Sequence, residues 1–101
     1  MSLNIIWLDK AVEELDQIYD FYFAKNPNAA IKIYNSILAQ TRILENFPKM
    51  AAVEPLLKNR QGEFRSLVTK DGLFKIIYCT DDENVFITNV FCCWRDPGTL
   101  K

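Results

Sequence analysis

The apolar and polar positions of this 101-residue chain follow two rhythms, first helical and then alternating. Asn4 to Leu8 (NIIWL) is a short apolar run and predicts a first strand at a sheet edge. Leu8, Ala11, Val12, Leu15, Ile18, Tyr19 and Tyr22 then recur every three or four residues. They predict one apolar face of a helix reaching about Lys25. Asp9 is expected as its N-cap, with Glu13 and Glu14 near its positive end. The rings of Tyr19, Phe21, Tyr22 and Phe23 are expected to pack in the core, with one left exposed. Asn26-Pro27 restarts the pattern, because asparagine caps and proline suits the first helical position. Ala30, Ile33, Ile37, Thr41 and Leu44 form the stripe of a second helix, with Tyr34 and Leu38 beside it. Phe47-Pro48 should end it, since a residue before proline is pushed out of helical backbone. So short a break predicts an antiparallel helical hairpin.

The rhythm changes after Pro48. Lys49 to Gly62 has no sustained period and reads as a connecting loop, with short structure expected at Glu54 to Lys58. Glu63 to Tyr78 (EFRSLVTKDGLFKIIY) reads as a β-hairpin, because strand formers flank Asp71-Gly72, two residues that tolerate positive φ. Two registers fit. A two-residue turn pairs Arg65 with Tyr78 and leaves Lys75 on the other face. A three-residue loop with Gly72 in a bulge puts Arg65 and Lys75 on one face. Phe74, Ile76 and Tyr78 make the better core face of the second strand, and the register that clusters Arg65 with Lys75 is favoured. On that reading both cations project from the open face, and replacing either costs little stability. Asp81 to Asn84 is a polar turn, and Val85 to Cys92 a last, interior strand apolar on both faces.

The predicted order is β-α-α-β-β-β in a single domain spanning residues 1–101. The class is α+β, with a two-helix antiparallel hairpin packed on one face of a mostly antiparallel four-stranded sheet.

Charge adds a direction. The net charge is −1 and the pI about 5.3, which weighs against tight nonspecific nucleic-acid binding. The first 48 residues hold four cations and six anions, while Lys49 to Lys75 holds six cations and three anions. The basic excess thus lies on and just before the hairpin. There is no histidine, which removes every histidine-based acid–base or nucleophilic mechanism. Cys79, Cys92 and Cys93 are odd in number and two are adjacent, so free thiols are expected rather than disulfides or a zinc site. No cofactor, metal or membrane association is expected, and the cytoplasm is the expected location.

Taken in order, LDKAVEELDQIYDFY, NPNAA, ILENFP, FRSLV, FKIIY and VFITNVF resemble the RelE/ParE superfamily of bacterial type II toxin–antitoxin toxins over nearly the whole chain. The tail FCCWRDP is similar to the arginine- and proline-containing ending of many members. The resemblance is closer to ParE-like members. It implies a growth-inhibiting, plasmid-stabilisation-type toxin neutralised by a cognate antitoxin from the adjacent gene. ParE-like members bind DNA gyrase; RelE-like members cut messenger RNA on the ribosome without a metal. By position, Arg65 matches a basic residue early in the hairpin, Lys75 the basic residue before the apolar-apolar-Tyr segment, and Arg95 the basic pair after the last strand. Trp94 stands in that arginine's place on an alternative alignment of the tail.

The target-binding residues so implied are Arg65, Lys75, Trp94 and Arg95. If the chain is RelE-like, Arg65, Lys75 and Arg95 would stabilise phosphorane charge and Tyr78 would transfer a proton. The histidine that several ribonuclease members carry after the last strand is missing here, and Leu67 replaces a hairpin lysine. The lack of histidine and the acidic pI are both compatible with the gyrase-binding reading. An exposed apolar patch, with Leu67 and Ile77 facing outward, is expected for the antitoxin. A homodimer is left open.

Overall fold

In the computed structural model, residues 2–53 and 63–93 are described. Strand β1 (Asn4–Trp7) runs into helix α1 (Asp9–Phe23) with a single residue between them. That residue, Leu8, donates its N–H to Ile87 O (3.0 Å), extending the strand ladder before the chain turns. Leu8 is therefore the N-cap, with extended backbone and no side-chain cap bond, and Asp9 is the first helical residue rather than the cap. Helix α2 (Pro27–Ile43) starts as its sequence predicts. Asn26 Oδ1 accepts the N–H groups of Asn28 and Ala29, and Pro27 occupies the first turn. Regular helix ends at Ile43, and tighter turns carry the chain on through Asn46 and Phe47.

Ala11, Leu15 and Ile18 of α1 and Ile37 of α2 are buried in one core with Leu44, which follows α2 directly. Leu8 and Val12 are exposed and flank the α1 face instead of completing it. Tyr19 and Tyr34 meet edge-on at 5.6 Å between ring centres, tying the two helices together. Two aromatic rings of α1, Phe21 and Phe23, are exposed rather than one; Lys25 Nζ lies 5.0 Å from the centre of the Phe21 ring.

The sheet has five strands, one more than the periodicity predicts. Its order is β1-β5-β4-β3-β2, with β2 Ala52–Val53, β3 Phe64–Val68, β4 Phe74–Thr80 and β5 Asn84–Cys92. The extra strand, β2, is a two-residue edge that pairs antiparallel with Ser66 and Arg65. Two residues cannot show a period, so this strand is visible only through its partner. The short structure expected at Glu54 to Lys58 lies outside the described residues. Strand β1 pairs parallel with β5, and the other pairs are antiparallel.

Strand β5 carries a bulge where the ladder shifts: Ile77 pairs with Asn89 but Tyr78 pairs with Ile87. The extra residue, Thr88, donates its hydroxyl to Ile77 O (3.2 Å). Beyond Ile87 strand β1 has ended, and Glu14 of α1 takes over. Its Oε1 accepts the N–H of Val90 (3.0 Å) and the side-chain amide of Asn89 (3.2 Å). A helix side chain thereby completes the strand's hydrogen bonding.

Candidate functional site

The β3–β4 hairpin is closed by side chains as well as backbone. Thr69 donates its N–H to Phe74 O (2.9 Å), and Gly72 donates to Thr69 O (2.8 Å) with φ at 76°. That backbone is the reason for glycine at this position. Asp71 Oδ1 accepts the Thr69 hydroxyl (2.6 Å) and the Leu73 N–H (2.9 Å). Lys70 donates its N–H to Gln40 Oε1 (2.9 Å), and Gln40 is held in turn by Ser36 Oγ (2.9 Å). The hairpin tip is thus docked onto α2.

The register sets Arg65 opposite Tyr78 and Val68 opposite Lys75. Alternation puts Arg65, Leu67, Ile76 and Tyr78 on the helix side, and Lys75 on the other. Arg65 and Lys75 do not share a face, contrary to the favoured reading of the sequence. The side of β4 was legible; the side of β3 was not. A cation beside a core tyrosine looks unfavourable until its acceptors are known: a carbonyl of the segment after α2 and a carboxylate just before β3. Arg65 Nη1 donates to Ala51 O (2.7 Å), while Nη2 meets Glu63 Oε2 (2.8 Å). The Arg65 side chain is only 17% exposed.

Tyr78 is 0% exposed, and its hydroxyl donates to Pro48 O (2.8 Å). Burial pushes its pKa above the usual phenol value, and the Ala51 backbone and Arg65 pull it partly back. A phenol so placed keeps its proton and packs as core.

Lys75 stands half-buried on the face away from the helices, between Val68 of β3 and Phe91 of β5. Its charge reaches Cys93, just past β5. Burial raises that thiol's pKa, Lys75 lowers it, and Asp71 raises it again. Cys93 N–H donates to Leu73 O (2.7 Å), which fastens the end of β5 to the hairpin loop. The outward patch expected at Leu67 and Ile77 is absent. Leu67 packs against the core on the helix side, and Ile77, though on the other face, is only 2% exposed. Trp94 and Arg95 lie outside the described residues. Among the described residues no group of His, Cys, Asp or Glu could hold a metal, and no helix is long and apolar enough to cross a membrane.

The sequence matches the family model for the ParE toxin of the type II toxin–antitoxin system parDE over residues 5–97. The chain belongs to the ParE toxin family. Membership implies a cognate ParD antitoxin as partner. A solved structure described as the chromosomal ParDE toxin–antitoxin system from P. aeruginosa shares its fold. The TM-score is 0.74 at 24% identity, over 90% of this chain and 96% of that one. The YoeB dimer from Staphylococcus aureus is similar at a TM-score of 0.58 and 20% identity, over 95% and 100% of the two chains. A search of curated proteins returned no match. In this ParE-family chain, sequence reasoning missed the carbonyls of Pro48 and Ala51 and the carboxylate of Glu14. Backbone acceptors leave no trace in side-chain periodicity. Glu14 offered a faint signal, as an acid bordering the apolar stripe of α1.

Proposed function

We propose that this toxin inhibits growth in the cytoplasm by binding DNA gyrase, not by cleaving RNA. The observation that carries the reading is the commitment of Arg65 and Tyr78 to the fold. A ribonuclease on this scaffold needs a proton-transfer group and cations facing the scissile phosphate. Here the tyrosine hydroxyl is buried on Pro48 O, and the guanidinium is bonded to Ala51 O and Glu63. Binding a protein target needs neither group free. The lack of histidine and the low pI fit the same reading.

The working surface on this reading is the face away from the helices. Lys75 stands on it, and Trp94 and Arg95 come next in the sequence after Cys93. The deciding experiment runs two assays with one purified protein. Inhibition of gyrase supercoiling with translation intact supports the proposal. Cleavage of ribosome-bound messenger RNA with supercoiling untouched replaces it by the RelE-like reading.

A further inference from the structure

The segment after α2 is held from beneath and apolar on top. Pro48 O receives the Tyr78 hydroxyl, Ala51 O receives Arg65, and the Ala51 side chain is buried in the core. Facing the other way, Phe47 is 62% exposed and Met50 54% exposed, with Ile43 exposed as well. Backbone bonds link the three in sequence: Phe47 N–H donates to Ile43 O (3.1 Å), and Met50 N–H to Phe47 O (3.2 Å). Spacings of four and three residues in turned backbone put them on one side, as a ridge. Water-facing phenylalanine and methionine on so firmly anchored a segment mark a contact surface.

The charges near this ridge are mostly positive: Glu45 lies between Ile43 and Phe47, and Glu63, beside Ala51, is ion-paired with Arg65. From Pro27 to Val53 the chain carries Lys32, Arg42 and Lys49, all exposed, against a single half-buried acid, Glu45. Lys70 adds a fourth cation, because its backbone is bonded to Gln40, one turn before Ile43. The exposed acids of the helical hairpin, Asp9, Glu13, Asp16 and Asp20, are all on α1.

We propose that the ridge of Ile43, Phe47 and Met50 docks an acidic segment of the antitoxin that presents apolar side chains. This rests on the toxin–antitoxin reading and adds a place and a chemistry to it. Apolar anchors would seat on Phe47 and Met50 while carboxylates meet the surrounding lysine and arginine side chains.

The test titrates toxin with the purified protein encoded by the adjacent reading frame. Phe47→Ser with Met50→Ser should weaken binding by about tenfold or more, as loss of central apolar anchors does. Arg42→Glu with Lys49→Glu should also weaken it, by a margin that shrinks as salt rises. Gyrase inhibition by both double variants should match the parent. If the parent binds and the serine variant binds equally well, the ridge proposal is wrong. If the serine variant keeps its antitoxin affinity but loses gyrase inhibition, the ridge serves the target and the proposal is likewise overturned. Failure of the parent itself to bind would sink the toxin–antitoxin reading and the ridge with it. Should the serine variant melt early, hydrogen exchange on the unmodified complex decides. Protection of residues 43–50 upon binding supports the ridge, and unchanged exchange there overturns it.

Discussion

Arg65 and Tyr78 sit opposite each other across β3 and β4, and both donate to the same short stretch, at Ala51 and Pro48. Two hydrogen bonds from neighbouring strands thus hold the chain as it leaves α2. Arg65→Ala and Tyr78→Phe should each cost about 1–2 kcal/mol, because a shielded carbonyl that loses its donor keeps its desolvation penalty. The double variant should lose less than the sum, since the two bonds restrain one segment. Urea unfolding measures all three. An Arg65→Ala protein as stable as the parent would mean the Ala51 carbonyl finds water instead.

Lys75 predicts the opposite balance. It lies on the far face of the sheet, beside the strand end that leads to Trp94 and Arg95. Lys75→Ala should reduce gyrase inhibition in a supercoiling assay while the protein still unfolds cooperatively. Full inhibition by this variant would move the working surface off that face.

Family membership carries a cellular prediction. Induced alone in a bacterial host, the chain should slow growth, and co-expression of the neighbouring gene should relieve it. Normal growth alongside verified soluble protein would count against toxicity in that host.

Asp81 provides a pH signature. The Glu83 N–H, and after it Asn84, holds its carboxyl below the ordinary value of 3.8. The folded state therefore prefers the ionised form, and that preference stabilises the fold above the unfolded pKa. It is lost as pH falls through the depressed folded value. Asp81→Ala should lower stability at neutral pH and flatten the acid limb below about pH 4. Thermal melts of both proteins across that range are the measurement.

The legible parts of this molecule were those in which side chains alone decide. Helical spacing located both helices, and Asn26-Pro27 marked their junction. Phe74, Ile76 and Tyr78 identified the core side of β4. The rest depended on backbone atoms. Strand β2 exists because β3 offers an edge, and the face taken by Arg65 depends on a carbonyl fourteen residues earlier. Leu8 took the cap position instead of Asp9 because the helix starts directly where the β1 ladder ends, at the bond from Leu8 N–H to Ile87 O. For the site, the basic hairpin was visible but not its division between two faces.

Glu14 offers a local test of the same point. Glu14→Ala removes the acceptor for the Val90 N–H, which should exchange faster in a hydrogen-exchange experiment. Glu14→Gln retains a carbonyl oxygen and should restore most of the protection. Equal exchange in all three proteins would assign the protection to something other than this carboxylate.

The parallel pairing of β1 with β5 has a consequence in time. Asn4 rests against Asn84, so the first strand made waits for the last before it has a neighbour. Contacts this distant in sequence close late, after the entropy of the intervening chain has been overcome. On the ribosome, the helical hairpin can form early, but β1 stays unpaired until β5 has emerged. The sheet is therefore completed only after β5 has left the ribosome, and until then β1 remains an unpaired edge.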